Sequence, residues 1–131
     1  MFEYHGWVTV QSSAGDETDR EREAARVAAA TLLRGLQGVP GLADIRTVNG
    51  ANQVHIGGLA NHRGGQGDEV LEVFCGIGRV APGSYGVLYF WDDEDSAGRD
   101  EFQVVVMRRG EVSVESDGYL SPCVPVIEDM A

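Results

Sequence analysis

Two strand-like apolar runs, separated by ten residues that carry six carboxylates, constrain the fold of this chain more than anything else in it. They lie within residues 83–110, GSYGVLYFWDDEDSAGRDEFQVVVMRRG. Over residues 85–91 both alternating sets of side chains are apolar or aromatic, Val87, Tyr89 and Trp91 on one and Leu88 and Phe90 on the other. That is the pattern of a central strand covered on both faces. Residues 102–107 repeat it with Val104, Val105 and Val106, so the two runs are expected to pair antiparallel across residues 92–101. This connection holds Asp92, Asp93, Glu94, Asp95, Asp100 and Glu101 against Arg99 alone, six carboxylates less one guanidinium, a formal charge of −5. Charges of one sign so close together repel unless a positive partner neutralises them. The strand pair therefore holds out an electronegative loop, the first candidate for function.

The rest of the chain supplies what such a pair needs to pack against. Residues 2–11 alternate, with Phe2, Tyr4, Gly6, Val8 and Val10 on one face and Glu3, His5, Trp7, Thr9 and Gln11 on the other, a half-buried strand. After a turn at 12–15, Asp16 or Thr18 can cap a helix that runs to about Gly38 and is ended by Pro40. Ala25, Ala28, Ala29, Leu32, Leu33 and Leu36 recur at spacings of three and four, a stripe of mostly small residues that lets the helix lie close to a sheet. Glu17, Asp19, Glu21 and Glu23 gather at its positive end. Residues 44–48 and 53–59 flank the turn-rich Asn49-Gly50-Ala51-Asn52 and read as a hairpin. Residues 60–67, ANHRGGQG, form a flexible connection to a second helix, capped by Asp68 and spanning about 69–80, in which Gly76 and Gly78 cost helix propensity. Arg108-Arg109-Gly110-Glu111 then turns the chain into an edge strand over 112–117, followed by an irregular tail.

This order predicts an α+β fold, an antiparallel sheet of about six strands with two helices on one face. Its first six elements follow the ferredoxin-like βαββαβ order, and a C-terminal hairpin strand pair extends the sheet. At 131 residues, one domain over 1–131 is expected.

Charge narrows the partners. Ten basic residues stand against 21 acidic, a net −11, and such a field repels phosphate backbones and anionic membranes while it speeds association with basic proteins. Direct binding of nucleic acid or of a membrane is therefore not expected. No apolar run is long enough to cross a bilayer, and Met1-Phe2-Glu3-Tyr4-His5 has neither a basic n-region nor an apolar h-region, which predicts a cytoplasmic protein. Cys75 and Cys123, both in apolar contexts, fit free buried thiols of that compartment better than a disulfide.

Signals for chemistry are weak. His5, His55, His62, Cys75 and Cys123 include no pair at ligand spacing, so neither a metal nor another cofactor is expected. His5 and His55 could meet across neighbouring strands, and His62, beside two glycines, reads as solvated. Cys75 lies among Val73, Phe74 and Ile77 on the inner face of a helix, the wrong setting for an activated nucleophile. The glycines between 57 and 86 match no phosphate-binding loop. Asp92-Asp93-Glu94-Asp95 could hold a hard cation but lacks calcium-loop spacing. Three readings of this run stay open: a solvated loop, a cation site, and a surface for a protein partner. Trp91 fits the third as an aromatic anchor inside a charged rim, and fits a core equally well.

Four blocks in order resemble the immunity protein 7 family of bacterial polymorphic toxin systems. They are Phe2-Glu3-Tyr4-His5-Gly6-Trp7; Gly83-Ser84-Tyr85-Gly86-Val87-Leu88-Tyr89 running into Asp92-Asp93-Glu94; Arg108-Arg109-Gly110; and Ser121-Pro122-Cys123-Val124-Pro125-Val126-Ile127-Glu128-Asp129. The likeness spans nearly the whole chain, although residues 11–67 carry little of it. It implies a small cytosolic α+β protein, made beside a toxin gene, that binds the cognate toxin domain and blocks it by occlusion, with no catalysis. Many such toxins are nucleases with basic clefts, and a chain at −11 could fill one by placing carboxylates where phosphates would sit.

On that reading the partner-binding residues are Asp92, Asp93, Glu94, Asp95, Asp100 and Glu101, with Trp91 as anchor and Glu128 and Asp129 as a second acidic cluster. A monomer or weak dimer is expected. The alternatives are a carboxylate-based small enzyme dependent on a divalent cation, and an acidic scaffolding domain.

Overall fold

The computed structural model describes residues 1–129. Strand β1 (Phe2–Val10) is the pivot: Phe2, Tyr4, Val8 and Val10 are buried on one face, and the strand pairs antiparallel with β3 (Ala51–Ala60) on one side and β4 (Tyr85–Asp92) on the other. With β2 (Leu42–Val48), β5 (Gln103–Arg108) and β6 (Glu111–Ser116) the sheet has six antiparallel strands in the order β2-β3-β1-β4-β5-β6. The β2–β3 hairpin turns on two residues, Asn49 and Gly50, with φ of 51° and 81°. Left-handed backbone at both central positions matches the twist of the flanking strands.

Helix α1 (Asp19–Leu33) starts on a capping box. Thr18 Oγ1 accepts the Glu21 amide at 3.1 Å, and the Glu21 carboxylate accepts the Thr18 amide at 3.1 Å, so two otherwise unpaired donors are satisfied. The α-helix is shorter than its expected end at Gly38, because Arg34–Leu36 tighten into a 3₁₀ turn. Helix α2 (Gly64–Val80) begins earlier than expected, before Asp68. Asp68 does not cap it. The Arg63 side chain binds the Asp68 carboxylate at 2.8 Å, and a Cβ on Gly67 would already meet the Phe2 ring at 3.2 Å. Helix α2 thus starts with no side-chain cap, close against β1, and part of the expected flexible connection is helix.

Both helices lie on one face of the sheet. Ala25, Ala29 and Leu33 of α1 and Val70, Val73, Phe74 and Ile77 of α2 form one core with Val8, Val54, Leu88, Val105 and Met107. Strand β4 is therefore not covered on both faces along its length, as its sequence suggested. Leu88 is fully buried against the helices, whereas Tyr85 on the opposite face is 45% exposed. That face closes at Trp91, which is 5% exposed and packs with Phe102 and Cys123 in a second, smaller cluster beneath the returning tail. Both cysteines are free, Cys123 buried and Cys75 half-buried. No helix of the described residues is long and apolar enough to cross a membrane.

Candidate functional site: the acidic loop and the tail

The β4–β5 connection is folded by its own carboxylates. The Asp92 side chain accepts the Glu94 amide at 3.1 Å and that of Asp95 accepts the Ala97 amide at 3.0 Å, the Asx turns that short acidic side chains favour. Successive backbone bonds from Asp95 to Asp92, Gly98 to Asp95 and Glu101 to Gly98, each at 3.2 Å, close three turns in a row. Beneath them the Trp91 indole donates to the Arg99 carbonyl at 2.9 Å. Trp91 thus supports the loop from the core and presents no ring to solvent.

The Met1 amine and the His62 ring hold the start of the loop. The Met1 amine sits 2.7 Å from Asp93 and 3.3 Å from Glu94, and His62 Nδ1 lies 2.5 Å from the same Glu94 carboxylate. The His62 hydrogen bond, and then that from the Met1 amine, hold the Glu94 carboxyl below its ordinary range. Contact with Asp93 raises the amine in turn. His62 was expected to be solvated; it remains exposed, but it meets the loop. Register explains why: Phe2 faces Ala60 in β3 and Asp92 in β4, so the residues just past those strands emerge side by side.

The tail closes the other end. Asp100 accepts the Cys123 amide on its carbonyl and the Val124 amide on its carboxylate, both at 2.7 Å. Asp117, buried beyond β6, accepts the Tyr119 and Leu120 amides and the Ser121 hydroxyl at 2.9 Å, while the Ser121 hydroxyl accepts the Phe102 amide at 2.8 Å. These bonds bring the two expected acidic clusters together. A shallow groove of about 410 Å³ is lined by Asp93, Asp100 and Glu128, with Arg99 among them, Val124 on one wall and Trp91 below. Glu94, Asp95, Glu101 and Asp129 are exposed, and Asp92 is half-buried in its turn.

Elsewhere the chemistry-bearing residues stay apart. Among the described residues no group of three or more His, Cys, Asp or Glu side chains converges as metal ligands would. His5 and His55 stand diagonally on neighbouring strands, opposite Gly57 and Trp7 respectively, and His5 binds Glu3 at 2.7 Å. Burial pushes both cysteine thiols up, away from the thiolate a nucleophile requires. A cleft of about 460 Å³ lies between the start of α1 and the β2–β3 hairpin. There Glu17 accepts the Ser12 amide and hydroxyl, and Asn52 is held by Thr47 and by the Arg22 carbonyl.

Fold and site together define a small α+β protein that displays an internally braced acidic surface on an antiparallel sheet. The chain belongs to the immunity protein 7 family, whose model matches residues 1–129. Membership gives it the role of an immunity protein, the neutralisation of a toxin. No curated protein and no solved structure gives a significant match.

Proposed function

We propose that this protein acts in the cytosol of the producing cell, binds a cognate toxin domain and occludes it with the acidic surface around Asp93, Asp100 and Glu128, without catalysing any reaction. Asp92, Glu94, Asp95, Glu101 and Asp129 belong to the same field, and Trp91 fixes it from below. The observation that carries this reading is the ordering of the loop before any partner arrives. Its backbone is held by Asx turns, by the Trp91 indole and by the tail, so little conformational entropy remains to be lost on binding. A toxin with a basic, phosphate-binding cleft is the complementary partner for a chain at −11.

The test is direct. Co-expression with the toxin domain encoded by the adjacent gene should restore growth, and the purified pair should associate at a rate that falls as salt rises from 50 to 500 mM, concentrations of about the range over which exposed charges become screened. Absence of both rescue and binding would remove the reading.

A further inference from the structure

The face of the sheet opposite the helices carries polar side chains, among them Glu3, His5, Asp44, Gln53 and His55, and with them large apolar ones left open to water. Seven large apolar strand residues are at least 36% exposed, and five of them, Trp7, Leu42, Val48, Leu59 and Tyr85, stand on this face; the other two are on edge strand β6. Trp7 sits at the middle, opposite His55 in β3 and Val87 in β4, and its ring meets that of Tyr85 edge-on at 6.1 Å. Antiparallel sheets with a solvated face place polar side chains there. Exposed apolar patches rimmed by charge mark interaction sites, and Trp and Tyr are the residues that most often carry their binding energy.

Two features say what covers it. Along β4 every second residue points to this face, from Tyr85 through Val87 and Tyr89 to Trp91, where the tail covers the sheet and the acidic groove begins, so the open face borders the groove. The strand residues that edge the face include Glu3, Asp44, Glu111 and Glu115 against Arg46 and Arg108, an acidic excess that suits a basic occupant and disfavours a second copy of this acidic chain.

We propose that the open sheet face centred on Trp7 and Tyr85 is where the toxin domain seats an apolar patch bordered by Arg or Lys. This rests on the toxin-binding reading above and names the surface that carries it. The carboxylates steer the encounter, and the aromatic face sets how long the complex lasts.

The experiment uses the full chain labelled with 5-fluorotryptophan, whose two tryptophans give two ¹⁹F resonances, that of Trp7 assigned with Trp7→Phe. Addition of the toxin domain from the adjacent gene should shift the Trp7 resonance and abolish its solvent isotope effect, without the need for any destabilising variant. In parallel, Trp7→Ser should raise Kd by at least ~30-fold, mainly through faster dissociation. Toxin binding with an unmoved Trp7 resonance and an unchanged Kd would overturn the proposal and leave the toxin-binding reading intact. A Trp7 resonance that moves with protein concentration alone, in a chain that sediments as a dimer, would assign the face to a second copy and overturn it too. If the wild-type chain binds no toxin, the reading itself fails and the proposal falls with it.

Discussion

The Trp91 indole N–H donates to the Arg99 carbonyl at 2.9 Å, so the last core residue of β4 holds the far side of the acidic loop across eight residues of chain. Because Trp91 is 5% exposed and its ring packs tilted against that of Phe102, centroids 5.6 Å apart, it also fills the space between sheet and tail. Trp91→Phe keeps much of the packing and removes the donor, and should cost about 1 kcal/mol. Trp91→Ala adds a cavity and should cost about 3–5 kcal/mol. Urea unfolding checks both. Hydrogen exchange should show the amides of Gly98 and Glu101 losing protection in Trp91→Phe ahead of the amides of β1.

Gly78 interrupts the helix propensity of α2 for a reason outside the helix. A Cβ at that position would fall on the Gly110 carbonyl, where the β5–β6 turn crosses the end of α2. Gly110 has a φ of 75° and its amide donates to the Ser84 carbonyl at 2.8 Å, so the turn has little freedom to move aside. An exposed helix glycine gains stability on replacement by alanine. Gly78→Ala should instead lose about 1–3 kcal/mol, through overpacking, in thermal or urea unfolding.

Element types were legible wherever a single period governed the residues. Val8, Val10, Val54, Leu88 and Met107 alternate in the sequence and are buried in the sheet, and Ala25, Ala29 and Leu33 repeat at helical spacing and face it. Sequence reading failed where long-range packing decided. The early start of α2 depends on the fit of Gly67 against Phe2, and the open side of β4 depends on both helices falling on the same face. The carboxylates of the candidate site were plain in the sequence. Their partners were not: His62 is 32 residues from Glu94, and Val124 is 24 from Asp100, distances that only the strand order and the returning tail collapse. Of the two readings open for Trp91, anchor or core, the core holds, whereas Trp7, whose sequence context suggests a structural residue, is 40% exposed, because a tryptophan in an alternating strand carries no local mark of whether its face will be covered.

Asp117 ties the tail to β5 and makes that tie sensitive to acid. Its burial raises the carboxyl, but the Tyr119 and Leu120 amides and the Ser121 hydroxyl outweigh this and hold it below its usual value. A carboxyl depressed in the folded state stabilises the fold above its unfolded pKa, and that contribution is lost as pH falls through the lower, folded pKa. Asp117→Asn keeps the shape but turns an amide NH₂ toward backbone donors, and should cost about 1–2 kcal/mol at pH 7. The difference in urea midpoint between wild type and variant should shrink as pH falls below about 4, the ordinary aspartate range. A difference that stayed constant to pH 2 would assign the loss to shape rather than to charge.

Inward and outward carboxylates of the acidic surface should separate experimentally. Asp100 accepts the Val124 amide at 2.7 Å, so Asp100→Ala should cost about 1 kcal/mol and loosen the tail. Glu101, Glu128 and Asp129 are exposed and make no side-chain ion pair among the described residues, and Asp95→Asn retains the oxygen that accepts the Ala97 amide. Converting these four to Gln or Asn relieves like-charge repulsion and breaks no contact, so unfolding should change by no more than about 0.5 kcal/mol, as for other surface sites. Binding should respond in the opposite proportion. Association with the toxin domain should slow by about tenfold at low ionic strength, and its salt dependence should flatten, because steering acts on encounter and is screened within about 8–10 Å at physiological salt. Dissociation should hardly change, since these side chains lie at the rim. Stopped-flow measurements of the quadruple variant at two salt concentrations decide the matter, and an unchanged association rate would show that this charge cluster does not face the toxin.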